Sequence, residues 1–572
     1  MLAPVRCPKS LVYAFTGSLL IALSACSEST KHALPRPKPL AEVQVKQASA
    51  PALRKQINNE PMRIAEYAAT PASQPYVLPA PVEGQAYATE DREQYQHYPA
   101  NPVFAVAQTP VSTFSIDVDT GGYANVRRLL NQGQLPQADA VRLEEMVNYF
   151  PYAYPDSNDD APFAISAEVA QTPWNPHSLL LRVAIKAEDR SVAELAPANL
   201  VFLVDVSGSM DRREGLPLVQ STLKLLVEQL RPQDHVSLVV YAGNSSVVLE
   251  PTAGSDKATI RAAIDRLQAG GSTAGESGIE LAYQQAQKGF IKQGINRILL
   301  ATDGDFNVGI SDFDALKRLA ASKRKTGISL TTLGFGTGNY NERLMEQLAD
   351  AGDGNYAYID NLREARKVLV DQLGSTLAVV AKDVKLQVEF NPAQISEYRL
   401  LGYENRALQR EDFNNDKVDA GEVGAGHSVT ALYEVVPLGQ PGWLEPLRYQ
   451  PVTAHSAKRP ASDELAMLRL RYKAPEQDTS RLVEMPISKP PQVPAIGKAS
   501  EDLRFAGAVA AFAQQLQGGQ YTRQFTFKDT EALARGAKGD DRFGLRAEFI
   551  QLVELARSLQ TSAPDLITNR VD

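Results

Sequence analysis

Between residues 199 and 374 the chain alternates short, mostly apolar runs with longer segments whose apolar positions recur every three or four residues. The clearest runs are 200–206, 236–241, 297–301 and 328–335, with weaker ones at 247–250 and 355–359. Helical periodicity marks 214–230, 257–268, 276–289, 312–325, 341–350 and 361–374. Strands without polar alternation are buried on both faces, and helices between them supply the cover. The pattern predicts an α/β unit with a doubly wound, mainly parallel sheet.

A different pattern flanks this unit. Runs at 163–169 and 179–185 precede it, and runs at 384–390, 398–403, 429–436, 467–472 and 482–487 follow it. Strands on both sides predict a β-sandwich into which the α/β unit is inserted. Helical spacing appears at 123–131 and 138–149, and again at 499–517 and 540–560, where Leu503, Ala506, Val509, Ala510 and Ala513 form one stripe. Residues 27–100 show neither period and hold ten of the 36 prolines. Such a segment buries too little apolar surface to offset chain entropy and reads as an extended tether.

Composition narrows the function classes. At 44% apolar and 22% charged residues, the chain is an ordinary globular protein. A net charge of −8 and 7% aromatics advertise no basic, base-stacking surface for nucleic acid. The two cysteines, Cys7 and Cys26, both lie at the N-terminus, which excludes a disulfide scaffold and a Cys-rich zinc site. Arg6 and Lys9 precede an apolar run from Leu11 to Ala25, shorter than the roughly 20 residues needed to span a bilayer. This is the pattern of a secretory signal. It ends Leu23-Ser24-Ala25-Cys26, which resembles a bacterial lipobox. The resemblance implies cleavage before Cys26 and lipidation of its thiol and new amine. Ser27 at the next position implies sorting to the outer membrane.

Three loops of the α/β unit offer oxygen ligands at one predicted sheet edge. The first strand ends Asp205-Val206-Ser207-Gly208-Ser209, a D-x-S-x-S pattern before a helix. Gly271-Ser272-Thr273 precedes another helix, and Thr302-Asp303-Gly304 follows another buried strand. Ligands in open α/β sheets gather at the carboxyl ends of the strands. Hard oxygen donors suit Mg²⁺, with Mn²⁺ or Ca²⁺ as alternatives. Together these loops resemble a von Willebrand factor type A (VWA) domain with a metal-ion-dependent adhesion site. The resemblance implies that Ser207, Ser209 and Thr273 bind the ion directly. Asp205 and Asp303 hold it directly or through water, and a partner's carboxylate fills an open position. It also makes the helix at 361–374 a candidate gate for the site. Two flanking segments, STFSIDVDTGGYANVRR (112–128) with EEMVNYF (144–150), and ENRAL (404–408) with DAGEVGAGHSVTALYE (419–434), resemble those of a family of bacterial VWA lipoproteins.

Other motifs carry less. Asp117 and Asp119 mimic the nucleophile pair of haloacid-dehalogenase-like phosphatases, with Gly539-Asp540-Asp541 as a distant metal motif. The good parallel sheet begins some 80 residues after the first pair, so the pair reads as a turn whose Asp caps the helix at Tyr123. Asp412, Asn414, Asp416, Asp419 and Glu422 approach calcium-loop spacing but lack the glycine such a loop requires, and read as a solvated β-loop. The six histidines, including His235 and His427, form no zinc pairing, and Walker and nucleophile-elbow patterns are absent.

The expected organisation is a signal peptide (1–25), a tether (26–100), a helical segment (101–160), strands pairing with the C-terminal β region (161–198), a VWA domain (199–375), a β-sandwich region (376–490) and a helical region (491–572). The expected function is non-enzymatic. A lipid-anchored envelope protein holds Mg²⁺ and captures an acidic residue of a protein partner, without nucleotide or nucleic acid. A structural envelope component with a metal-stabilised domain is the alternative, and a metal-dependent phosphatase the remote one.

Overall fold

The computed structural model describes residues 93–562 apart from 117–118, 158–160, 272–274, 305–312, 339, 419, 446, 449–462 and 476. The signal peptide, Cys26 and most of the expected tether lie outside the described residues. The chain enters with two short strands, β1 (Phe104–Ala105) and β2 (Val111–Ser115), and two helices, α1 (Gly121–Asn131) and α2 (Leu143–Asn148). The single helix expected over 138–149 is broken: a 3₁₀ turn at Ala138–Ala140 is followed by extended Val141 and Arg142. Strands β3 (Phe163–Gln171) and β4 (Leu179–Ala187) then form an antiparallel pair.

The α/β unit contributes β5 (Ala198–Asp205), β6 (His235–Tyr241), β7 (Ser245–Ala253), β8 (Ile295–Thr302), β9 (Ser329–Gly334) and β10 (Tyr356–Tyr358). Its sheet has the order β10-β9-β8-β5-β6-β7, parallel except for β7, which folds back antiparallel on β6 across a short turn. The helices are α3 (Leu216–Gln229), α4 (Lys257–Asp265), α5 (Gly275–Lys288), α6 (Phe313–Lys323), α7 (Glu342–Ala351), α8 (Leu362–Arg366) and α9 (Leu373–Leu377). Every residue of β5 is buried. Leu200, Phe202 and Val204 pack with α3, α4 and α8, while Val201 and Leu203 pack with α5, α6 and α7. The period-2 alternation of a strand therefore feeds two separate cores, which is why the stretch from Leu200 to Val204 carries no polar residue. The helix expected over 361–374 is interrupted by a π-helical stretch at Lys367–Asp371.

Strands β11 (Val379–Phe390), β12 (Ile395–Leu401), β13 (Val423–Gly424), β14 (Ser428–Pro437), β15 (Glu464–Lys473) and β16 (Arg481–Ser488) follow. One antiparallel sheet runs β1-β12-β14-β4-β3, and a second runs β13-β11-β15-β16 with β2 also on β11. Their facing sides share one core, in which Phe390 stacks on Tyr398 at 4.3 Å. The α/β unit leaves this sandwich after β4 and returns at β11. Helices α10 (Glu501–Leu516), α11 (Phe527–Gly536) and α12 (Leu545–Ser562) close the other face of the β4 sheet with α1 and α2, around Phe150, Phe505, Phe512 and Phe549. The sequence pattern did not mark α11. No described helix is long and apolar enough to cross a membrane.

Three expectations need correction. The tether does not run to residue 100. From Glu93 the chain lies along the body, with Gln94 N–H donating to Tyr340 O and Asn101 Nδ2 to Gly402 O. Asp119 does not cap α1. Its Oδ1 accepts from Tyr356 N and its Oδ2 from Arg406, so it ties the first module to β10. The acidic loop at 412–422 is not purely a solvated β-loop. It begins as a 3₁₀ turn at Arg410–Asn414, and Lys385 Nζ donates to the carbonyls of Asp412 and Asn415.

Candidate metal site

Asp205 is the last residue of β5, and burial there is complete. The chain must turn at once, and the carboxylate organises that turn: Ser207 N–H donates to Asp205 Oδ1 at 2.9 Å. Its other oxygen, Oδ2, accepts from the Thr302 hydroxyl at 2.9 Å, and that hydroxyl accepts from Gly304 N–H at 3.1 Å. One carboxylate thus joins the ends of β5 and β8. Asp303 follows β8 and is buried to 1% exposure. Burial, with the Asp303 carboxylate adding to it, pushes the Asp205 carboxyl up to about 6 against the Ser207 and Thr302 hydrogen bonds.

The two serine hydroxyls converge. Ser207 Oγ and Ser209 Oγ lie 3.0 Å apart, Ser207 buried and Ser209 half-buried. Adjacent ligands on an octahedral ion, each about 2.1 Å from the metal, are about 3.0 Å from one another. The observed separation fits that edge. The loop that leads to Thr273 is tied to the first loop through the backbone, Gly270 N–H to Val206 O at 2.8 Å and Gly208 N–H to Gly271 O at 3.1 Å. Thr273 and Asp305 lie outside the described residues. Asp211 is exposed beyond the turn.

A fourth loop was not singled out from the sequence. Phe335 to Asn341 curves past Asp303: Gly336 has φ +75°, and a Cβ there would sit 3.2 Å from the Asp303 Cβ. Gly336 N–H donates to Glu214 O, and Arg212 Nη1 to Thr337 O, so this loop braces the segment after Ser209 as well as the Asp303 turn. Glu93 accepts from Gly338 N–H at 2.9 Å and pairs with Arg128 at 2.7 Å, which anchors the entering chain to the same loop. The two glycines of Gly-Thr-Gly at 336–338 are the signal that could have found it. Thr302, also missed as a positioning residue, sits within a motif already noted.

On the far side of α3, helix α8 is fastened to both neighbouring modules. Arg127 of α1, 1% exposed, pairs with Asp360 at 2.5 Å, with Glu364 at 2.8 Å and with Glu548 of α12 at 3.1 Å. Lys367 Nζ lies 3.5 Å from the centre of the Tyr149 ring.

Comparison with known proteins agrees with this layout. The family model described as von Willebrand factor type A domain matches residues 199–371, one described as von Willebrand factor matches 89–182, and one described as Uncharacterized protein YfbK, C-terminal, matches 375–559. Uncharacterized protein YfbK of Escherichia coli (strain K12) is 52% identical over 470 residues, which is 81% of each chain. The chain belongs to the YfbK family. A more distant relative of this YfbK-family chain, Uncharacterized protein sll0103 of Synechocystis, is 34% identical over 198 residues, 34% of this chain and 45% of its own length. Among solved structures, a von Willebrand factor type A protein from Catenulispora acidiphila matches 69% of this chain and 91% of its own at 16% identity and a TM-score of 0.39.

Proposed function

We propose that this YfbK-family protein is a lipid-anchored binding protein of the cell envelope, held at Cys26 and sorted to the outer membrane. Its VWA domain takes a divalent cation, Mg²⁺ before Mn²⁺ or Ca²⁺, and captures an acidic residue of another protein. Ser207, Ser209 and Thr273 hold the ion. Asp205 and Asp303 supply the charge that balances it and orient its water. The observation that carries the reading is the pair of serine hydroxyls 3.0 Å apart above a buried aspartate whose oxygens are both hydrogen-bonded. Neutral hydroxyls leave the ion electrophilic, and a bound ion offers a coordination position that a carboxylate can fill. The binding needs no bond broken in either protein, so the reading is non-enzymatic.

The test is Mg²⁺ binding and partner capture by the full chain. Mg²⁺ at a hundredfold its Kd stabilises the native protein by about 2.7 kcal/mol. Asp205→Ala removes that gain. Crosslinking in intact cells recovers a partner with the native protein that is lost with Asp205→Ala and with EDTA. Capture that survives both treatments overturns the reading, as does metal-dependent turnover of phosphoesters.

A further inference from the structure

Helix α7 turns one face away from solvent, toward α2 and the turn after β12. Glu342, its first residue, is 1% exposed, and neither carboxyl oxygen makes a hydrogen bond. The nearest cation is Arg142, whose Nη2 lies 3.5 Å away. That guanidinium is already engaged, donating to Gln96 O at 2.9 Å and lying 4.6 Å from the Tyr98 ring centre. One turn along α7, Glu346 Oε1 accepts from Asn405 Nδ2 at 2.6 Å and Arg406 Nη2 at 3.2 Å. A turn further, Asp350 Oδ2 accepts from Arg406 Nη1 at 2.9 Å.

More carboxyls come from the elements opposite. Helix α2 supplies Glu144 and Glu145, both 3% exposed. Glu145 Oε2 accepts from Gly122 N–H of α1 at 2.6 Å, while Glu144 Oε2 has no partner. Glu404 stands beside Glu144, and Asp119 shares Arg406. The phenols facing the cluster, Tyr98 and Tyr356, are both held protonated by burial. Among the described residues, the cations at this joint are Arg142 and Arg406.

Carboxyls from three modules thus meet away from water, well in excess of the cations that face them. Like charges gathered away from water repel one another far more strongly than the same charges on a solvated surface. A fully ionised joint would push α2 from α7. We propose that protons hold this joint closed: protonated carboxyls of Glu145 and Glu342 let α2 rest on α7, and their loss at alkaline pH releases the VWA module from the segment that precedes it.

The electrostatics support the direction. Burial, reinforced by Glu342, Glu346 and Glu144, holds the Glu145 carboxyl well above the usual carboxylate range. Burial, only partly offset by Arg142, pushes Glu342 up to about 8, and burial with Glu144 pushes Glu404 up to about 7. A carboxyl whose pKa is raised on folding binds its proton more tightly in the folded chain. The stabilisation is complete below about pH 4.5 and is lost as pH rises through about 8. Helix α7 starts beside Asn341, and a Cβ on Gly304 would lie 2.9 Å from Asn341 N, so a displaced α7 reaches the loop that carries Asp303.

Hydrogen–deuterium exchange of the full chain between pH 6 and pH 9.5, corrected for the intrinsic rate, tests this. Peptides covering α2 and α7 open by up to about tenfold per pH unit for each proton released as pH rises from 6 toward about 8, and the increase levels off above it, while β4 and β14 stay protected. Glu342→Gln keeps the shape of the side chain and removes the charge, so it abolishes the rise or moves it to higher pH. Glu145→Gln does the same from the other helix, which guards against a folding defect peculiar to one variant. Flat exchange to pH 9.5, or a rise identical in the native protein and both variants, overturns the proposal. So does full restoration of protection at pH 9 by millimolar Ca²⁺ or Mg²⁺, which would make a metal and not protons the neutralising charge.

Discussion

Two sets of buried carboxyls in this protein solve the same electrostatic problem differently. At the sheet edge, Asp205 is surrounded by donors from its own turn and the next strand: Ser207 N–H, two residues on, and the Thr302 hydroxyl across the sheet. Behind α7, Glu342 is as deeply buried, and its one cation, Arg142, stands 3.5 Å away without forming a hydrogen bond. The first carboxyl is organised by short loops at fixed spacing and is the one we propose to serve a cation. The second belongs to a group assembled from residues more than 200 positions apart and held by two arginines. Burial alone therefore does not tell a binding device from a joint. What separates them is whether the neighbouring groups are hydroxyls able to coordinate an ion or more carboxyls competing for a proton.

Substitutions can break that contrast. The largest effect is expected from Arg406→Ala, which strips the cation from Asp119, Glu346 and Asp350 together. Removing one side of a buried ion pair costs about 3–5 kcal/mol. Urea denaturation at pH 7.5 should show that loss, and a smaller one at pH 5, where the orphaned carboxyls take up protons. An equal loss at both pH values would argue against a proton-responsive joint.

A smaller effect of opposite sign belongs to His427. Burial, with Lys367 adding to it, lowers this imidazole to about 4. The folded chain keeps it neutral, so its contribution is present above pH 6.5 and is lost as pH falls through about 4. His427→Gln should flatten the acid limb of the stability profile and leave the alkaline limb, which the α2–α7 joint sets, unchanged. A shift of the alkaline limb instead would show that the two regions are not independent.

The smallest effect sharpens the sheet-edge side. Thr302→Val keeps the volume but removes the donor to Asp205 and the acceptor for Gly304 N–H. Leaving such groups unpaired costs about 1–3 kcal/mol. Calorimetric Mg²⁺ titration should show weakened binding, and Thr302→Ser should restore it. Unaltered affinity in the valine variant would remove Thr302 from the positioning role.

The α/β unit was legible in the sequence because its period is local. A strand buried on both faces must be apolar through its centre, and β5 is apolar from Leu200 to Val204. That Asp205, Ser207, Ser209 and Asp303 sit at one sheet edge was legible because the loops at the carboxyl ends of neighbouring parallel strands lie side by side. The antiparallel hairpin of β7 was not, since a weak apolar run does not report its direction. Nor was the break of the 361–374 helix at Lys367–Asp371, where Arg127 of α1 engages Glu364 and Tyr149, just after α2, engages Lys367.

The strands and helices of the α/β unit, the start of the VWA module and the oxygens at its edge depend on residues a few positions apart, and the amino-acid order alone settles them. Tertiary structure alone decided what Arg127, Glu145, Glu342 and Arg406 do. Each is an unremarkable charged position on a helix or turn until folding brings segments from opposite ends of the chain around it and removes the water. Burial then turns charge, which costs little on a surface, into the quantity that must be balanced.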